Sequence, residues 1–145
     1  MATGIGLAEV YDVDPSANAQ STNLSARAFV GTGNDVLIGG TIIRGTAQVC
    51  SVSSCVRLVH RLPAPGNDAT GESDALIARC QRNVIASNDN WKDSQQAAIA
   101  ATGKAPPNDN ESAILGLLAP GNYTAIVAGK NGTKGVALIE FYNLP

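Results

Sequence analysis

The sequence predicts an all-β protein: an antiparallel β-sandwich of the jelly-roll or immunoglobulin-like kind, with about 7–9 strands and one short helix near residues 94–102. Apolar and β-branched runs recur at intervals of about 8–12 residues, which is typical of two packed antiparallel sheets. Turn residues separate these runs, and 15 of the 145 residues are glycine. Only one segment has the composition of a helix. These observations favour strands throughout the rest of the chain.

The predicted strands follow one another with short polar connections. Their ranges are 4–14, 23–30, 36–43, 48–62, 74–85, 111–118, 123–129 and 135–144, and the 74–85 segment holds one or two strands with a turn near residues 81–83. Gly39 and Gly40 interrupt an apolar run, which indicates a bulge or a close approach of another part of the protein. The Pro-Gly turn at 119–122 and the Asn-Gly turn at 130–133 predict that the last three strands form an antiparallel meander.

The predicted helix at residues 94–102 is rich in alanine, which has the highest helix propensity. Asp93 or Ser94 is expected to cap its first turn, and Gly103 is expected to end it. Trp91, the only tryptophan, is expected to be buried beside the helix. A sugar-stacking surface is the alternative role for Trp91. Carbohydrate modules usually expose several aromatic rings, whereas only 4% of this chain is aromatic.

The first and last predicted strands resemble each other. Aligned on Gly4 and Gly135, the two segments share Gly, Leu, Glu and Tyr, and several remaining positions are close substitutions. A second copy of a final strand indicates either a strand that serves a neighbouring subunit or a cut from a tandem array. We therefore divide the chain into residues 1–14, a candidate inter-subunit strand, and residues 15–145, a single β-sandwich domain.

Residues 4–14, called the front segment below, have two alternative partners. The segment pairs within its own domain, or it adds head to tail to the sheet of a neighbouring copy, as donor strands do. The second alternative predicts a homo-oligomer or filament, because an unpaired apolar strand is a template for association. Sequence leaves both alternatives open. The candidate inter-subunit residues are Ile5, Leu7, Val10, Tyr11, Leu138, Phe141 and Tyr142.

Composition argues against several classes of partner. The formal net charge is −2, so the chain lacks the electrostatic footprint of a nucleic-acid-binding protein. No run approaches the roughly 18 apolar residues of a membrane-spanning helix, so no membrane insertion is expected. The first residues lack the basic and apolar regions of a signal peptide, which predicts either a cytosolic chain or a mature or excised segment.

The sequence contains no set of residues typical of an enzyme. His60 is the only histidine and lies in a strand pattern, and no G-x-S-x-G nucleophile elbow is present. Gly31 and Gly33 are followed neither by Gly-Lys-Ser/Thr nor by a helix start, so a turn explains them better than a phosphate-binding loop. We predict no catalytic residues and no enzymatic activity.

Calcium is the only cofactor that the sequence suggests. Oxygen-bearing side chains alternate from Asp12 to Asn18, as they do in calcium loops, although the glycine and distal glutamate of an EF-hand are missing. Asp and Asn are also the ordinary residues of turns, where their side chains bond their own backbone, and this alternative needs no metal. The candidate metal ligands are Asp12, Asp14, Asn88, Asp89 and Asn90.

The three cysteines, Cys50, Cys55 and Cys80, are disulfide candidates. If the protein is secreted, one bridge is expected. All three pairings stay open, and each leaves one thiol over. A zinc site is disfavoured because there is no C-x₂-C spacing and a fourth ligand would have to be His60 or a carboxylate.

Several motifs, taken in order, resemble a bacterial module found near the C-termini of large secreted and surface proteins, sometimes in tandem. They are Val30-Gly-Thr-Gly-Asn-Asp-Val-Leu-Ile-Gly-Gly40, Ser87-Asn-Asp-Asn-Trp91, Leu118-Ala-Pro-Gly-Asn-Tyr-Thr-Ala-Ile-Val127 and Gly135-Val-Ala-Leu-Ile-Glu-Phe-Tyr142. The hairpin is also similar to that of pre-peptidase C-terminal domains. The resemblance covers about two-thirds of the chain and fades between residues 47 and 82. It implies a secreted, non-catalytic β-sandwich whose last strand is followed directly by the next module.

The function expected from these features is structural. We expect a self-assembling extracellular module at the cell surface, the repeating subunit of a filament or tandem stalk joined by β-strand addition. Its main partner would be another copy of itself. The alternative is a calcium-dependent β-sandwich module of a secreted protein that binds carbohydrate or another surface component. Oligomerisation without ligand favours the first function, and calcium-dependent stabilisation of a monomer favours the second.

Overall fold

The computed structural model describes residues 6–10, 23–44, 53–60, 73–79 and 83–144, and of residues 53–60 and 73–79 it describes the backbone. The prediction of an all-β protein with antiparallel sheets and a short helix is confirmed. In chain order the elements are β1 Asn23–Val30, β2 Leu37–Ile43, β3 Ser53–His60, β4 Ser73–Arg79, β5 Val84–Asn88, α1 Gln96–Ala101, β6 Ser112–Leu117, β7 Gly121–Gly129 and β8 Gly135–Leu144. A 3₁₀ turn at Lys130–Gly132 joins β7 to β8.

The described strands form two four-stranded sheets in which the paired strands are antiparallel. The first sheet has the order β1-β8-β3-β6 and the second has the order β2-β7-β4-β5. β8 and β7 are therefore interior strands with a ladder on each side. In the register, Leu24 of β1 lies opposite Phe141 of β8, and Leu37 of β2 lies opposite Val127 of β7. The described edges are β1 and β6 in one sheet and β2 and β5 in the other.

The apolar core lies between the two sheets. β7 and β8 alternate between more and less buried residues, as strands covered on one face do. The buried cluster contains Ala125 and Val127 from β7 with Ile139 and Phe141 from β8, and it is completed by Val30, Leu37, Ile114 and Ala137. Members come from both sheets, so removal of these side chains from water favours the two sheets packing together.

The predicted meander is wrong. β6 and β8 lie in one sheet while β7 lies in the other, so the last three strands do not pair in sequence. Asn131 and Gly132 adopt the positive φ angles, 54° and 76°, that an Asn-Gly turn favours. A Cβ on Gly129 would overlap the carbonyl oxygen of Thr133, so the backbone folds tightly on itself here. The turn signal was therefore correct about the reversal, but the reversal carries the chain across the core instead of into a hairpin.

Of the glycine pair in β2, Gly39 marks a close approach, made by side chains of the facing strand. A Cβ on Gly39 would lie 2.7 Å from Ile139 Cδ1 and 2.9 Å from Phe141 Cε2. Both are side chains of β8, and real Cβ atoms essentially never approach so closely. β2 therefore packs directly on β8, with no space for a larger residue at position 39.

The predicted helix is present but shorter, and its predicted N-terminal caps are wrong, whereas the predicted stop at Gly103 is confirmed. It spans Gln96–Ala101 and begins after Gln95, with no side-chain cap hydrogen bond from Asp93 or Ser94. Gly103, with φ of 67°, follows the helix in the left-handed conformation expected after a C-terminus. The Gln95 side chain is used elsewhere, because it hydrogen-bonds the backbone of Leu115 in β6.

Trp91 is buried beside the helix, as predicted. It is 7% exposed and packs in a second cluster with Ile99 of α1 and Ala113 of β6. Its indole Nε1 donates a hydrogen bond to the carbonyl oxygen of Asn108 at 3.2 Å, so its polar atom is satisfied. This cluster fixes the helix and the preceding loop against one face of β6.

Candidate inter-subunit site

The described part of the front segment, Gly6–Val10, is exposed and belongs to no strand. Leu7 is 84% exposed and Val10 is 89% exposed. A Cβ added at Gly6 would meet no atom within 4 Å. Residues 4–14 are predicted to form a strand, but the described part of them, Gly6–Val10, is not a strand and pairs with none of the described strands. Ile5 and Tyr11 lie outside the described residues.

The candidate inter-subunit residues near the C-terminus lie in an interior strand. β8 pairs with β1 on one side and with β3 on the other. Phe141 is 7% exposed and belongs to the core, while Leu138 and Tyr142 are half-buried. These residues are therefore not brought together with Leu7 and Val10. A front segment similar to β8 has no vacant position beside β8 in its own domain.

An apolar groove runs between β5, an edge of one sheet, and β6, an edge of the other. Its volume is about 290 Å³, and its lining residues are Ile85, Ala86, Ile114, Leu115, Gly116, Leu117 and Leu118. Ile85 is 45% exposed and Leu117 is 71% exposed, so apolar surface stands open to water here. Sequence reasoning missed this groove. It predicted β6 within residues 111–118 and allowed a second strand at the end of residues 74–85, where β5 begins. Nothing in the local sequence placed β5 and β6 side by side across the core.

Side chains cap the outer edge of β6. The backbone N–H of Leu115 donates to Gln95 Oε1 at 3.0 Å, and Gln95 Nε2 donates to the Leu115 carbonyl oxygen at 2.8 Å. Two residues earlier, the N–H of Ala113 donates to Asn88 Oδ1 at 3.0 Å. Alternate residues of an antiparallel edge strand point their backbone groups to the same side. Two amide side chains thus occupy positions that a further strand would otherwise use.

The outer edge of β5 carries no such cap within the described ranges. β5 pairs with β4 alone, through Ala86 opposite Ile77 and Val84 opposite Ala78, with a register shift between them. Val84 is 55% exposed. An edge with unpaired backbone groups and apolar neighbours is the feature that strand addition requires.

The candidate metal ligands in the Asn88–Asn90 loop have mixed roles. Asn88 is committed to the fold: its Nδ2 donates to the Asn90 carbonyl oxygen at 3.0 Å, and its Oδ1 accepts from Ala113. Asp89 Oδ2 forms an ion pair with Lys130 Nζ. Asp89 Oδ1 and Asn90 Oδ1 are buried without a hydrogen-bond partner. In the described parts of the chain, no group of three or more His, Cys, Asp and Glu residues is placed to hold a metal.

Other candidates fall largely outside the described residues. Asp12, Asp14, Cys50 and Cys80 are outside them altogether. Cys55 and His60 are described by their backbone positions in β3, where Cys55 lies opposite Leu115 of β6 and Tyr142 of β8. The predicted disulfide and the Asp12–Asp14 calcium ligands stay predictions.

No protein-family model matches the sequence, and no curated protein matches it. None of the helices in the described ranges is long and apolar enough to cross a membrane.

Proposed function

We propose that the protein is a structural, self-assembling extracellular module, the repeating subunit of a surface filament or tandem stalk joined by β-strand addition. One observation carries the proposal: the front segment exposes Leu7 and Val10 by 84% and 89%. In another subunit's sheet, the backbone groups of this segment would gain partners, and the apolar side chains on its inner face would leave water. The proposed role is assembly without catalysis.

Pairing between subunits is supported by the position of β8. The front segment resembles β8, whose two neighbours in the sheet, β1 and β3, already fill both of its edges. The segment must therefore use a different strand edge. A donor segment and an acceptor edge are different surfaces, so the contact is heterologous, and its natural product is an open chain of subunits.

The finer fold that we propose is a β-sandwich of the jelly-roll kind. Each sheet has four strands in the described chain, and most consecutive strands lie in different sheets. The shared buried cluster between the sheets also supports this assignment. Jelly rolls are double-sheet β folds of eight strands. The resemblance to secreted tandem modules supports an extracellular location.

The first test is electron microscopy of the intact protein beside a variant that lacks residues 2–13. We expect regular fibres from the intact chain and dispersed particles from the truncated chain, because the proposed donor is missing. Val10→Asp should act like the truncation, since it places a charge in the added strand. Phe29→Asp is the matched control, because Phe29 is 64% exposed on β1 and lies outside the front segment. Fibres from the truncated chain, or discrete particles from the intact chain, would contradict the proposal.

A calcium-dependent module that binds carbohydrate or another surface component is the second candidate. The observation that favours it is the pair of buried oxygens, Asp89 Oδ1 and Asn90 Oδ1, that lack hydrogen-bond partners. Carboxylate and amide oxygens are the ligands that calcium prefers. The ammonium group of Lys130 lies against the other oxygen of Asp89 and counters part of the negative charge that a cation would need.

This second candidate predicts a melting temperature that rises with calcium concentration. A ligand present at about 100 times its Kd stabilises the folded state by about 2.7 kcal/mol. Asp89→Asn should abolish the rise, and magnesium serves as the ionic control. Differential scanning calorimetry checks both. An unchanged melting temperature of the wild-type protein across the calcium series would remove calcium from consideration.

A further inference from the structure

We infer that the front segment of one copy docks as an added strand on the β5 edge of a second copy, in the groove between β5 and β6. This inference rests on the proposed function and names the acceptor that assembly would use. The occupant is a second copy of this chain, because the chain itself carries an exposed apolar segment that its own described strands do not bind.

The edge of β6 is less suitable for an added strand. The edge of β6 is occupied at Ala113 by the side chain of Asn88 and at Leu115 by the side chain of Gln95. An added strand needs room on its inner face for side chains that point between the sheets. The groove beside β5 offers this room, and both sheets supply apolar walls.

The front segment matches a site that is apolar on the inside. In an extended strand alternate residues share a face, so Ala8 and Val10 lie on one face and Leu7 on the other. Aligned on Gly4 and Gly135, Ala8 and Val10 correspond to Ile139 and Phe141, the residues that β8 turns into the core. We therefore place Ala8 and Val10 in the groove and Leu7 on the outer face of the extended sheet.

The dimensions are also compatible. Five extended residues span about 17 Å, which is the length of β5, Val84–Asn88, and the front segment of residues 4–14 is long enough to cover it. The inner wall of the groove contains Gly116, where no side chain fills the space, next to Ile114. The groove, at about 290 Å³, is at the lower limit of the roughly 300–1,000 Å³ of small-molecule pockets. It suits the side chains of one strand better than a whole organic ligand.

The test uses three full-length variants that separate donor from acceptor. Val10→Asp disables the donor, and Ile85→Lys places a charge at the groove. Ile42→Lys is the matched control, because Ile42 is 64% exposed on β2 and receives the same change. Light scattering and electron microscopy should show fibres for the wild type and for Ile42→Lys, and loss of fibres for each of the other two variants. Mixing the two variants should yield discrete dimers that contain one Val10→Asp chain and one Ile85→Lys chain. The intact front segment of Ile85→Lys fits the intact groove of Val10→Asp, and neither chain can extend the pair further.

The outcomes distinguish failure of the groove as the acceptor from failure of assembly through the front segment. Fibres of normal length from Ile85→Lys, with Val10→Asp still dispersed, would overturn the groove as acceptor and leave assembly through the front segment intact. Loss of fibres in Ile42→Lys but not in Ile85→Lys would move the acceptor to β2. Fibres from Val10→Asp, or none from the wild type, would overturn both proposals. Circular dichroism shows whether Ile85→Lys is folded, and Leu117→Lys, at a position that is 71% exposed, provides a second groove variant.

Discussion

Phe141→Ala is expected to lower the free energy of unfolding by about 3–5 kcal/mol, the usual cost of truncating a buried phenylalanine. Phe141 is 7% exposed and packs in the core between the two sheets. The chain offers a matched control in Phe29, its only other phenylalanine, which is 64% exposed on the edge strand β1. Phe29→Ala should change the free energy by about 0.5 kcal/mol or less, as exposed positions generally do.

Urea denaturation followed by circular dichroism measures both values. A domain of this length is expected to unfold in one cooperative step. The measurement should be made in a Val10→Asp background, because assembly would otherwise add to the apparent stability. Equal losses for Phe141→Ala and Phe29→Ala would mean that β8 does not carry the core. A large loss confined to Phe141→Ala would show that the buried face of β8 carries the core, whereas the exposed ring of Phe29 on β1 does not.

Strand positions could be predicted from sequence because their signals are local. The predicted ranges 23–30 and 135–144 agree with β1 and β8, and the break expected near residues 81–83 lies between β4 and β5. Alternation of apolar residues and the intervening turn residues act over a few positions, so a single chain displays them. The burial of Trp91 could also be predicted, because removing a large aromatic ring from water is favourable and the adjacent alanine-rich helix offers an apolar surface to pack against.

Strand pairing could not be predicted in the same way. The turn at Asn131 and Gly132 has the expected backbone, yet β7 and β8 lie in different sheets. Whether two strands joined by a tight turn pair or face each other depends on the side chains that the rest of the chain brings to the core. The role of Gln95 could not be predicted from local sequence either. Its position suggested only the start of a helix, whereas its hydrogen-bond partner, Leu115, is distant in sequence.

The two parts of the candidate site, the front segment and the groove, also differ in whether local sequence could predict them. The proposed donor rests on a feature that is visible in the sequence, the similarity between the front segment and the last strand. The acceptor groove could not be predicted, because it depends on β5 and β6 meeting across the core. Nor could the side-chain caps on β6, which under the assembly proposal would direct strand addition toward β5. Prediction therefore supplied one half of the proposed contact, and the three-dimensional arrangement supplied the other half.

Trp91→Ala is expected to lower the free energy of unfolding by about 3–5 kcal/mol. The indole is 7% exposed and packs against Ile99 and Ala113, so its removal leaves a cavity between the helix and β6. The loop from Asn88 to Gln95 should also loosen, because Trp91 anchors it through a hydrogen bond to Asn108 as well as by packing. Trp91→Phe keeps an aromatic ring and loses that hydrogen bond, so a smaller cost of about 1–2 kcal/mol is expected.

The same pair of variants tests whether Trp91 has a binding role. A sugar-stacking tryptophan is exposed, and its replacement by alanine would weaken ligand binding with little effect on stability. When a buried tryptophan supports the fold, its replacement by alanine lowers stability instead.

Loosening of the loop would also remove the cap that Gln95 places on β6, and a second open edge would then be available for pairing. Under the assembly proposal, Trp91→Ala should therefore form irregular or laterally joined aggregates, visible by electron microscopy, while Trp91→Phe keeps the fibres of the wild type. Unchanged stability in Trp91→Ala would contradict the supporting role and strengthen the alternative of a binding module.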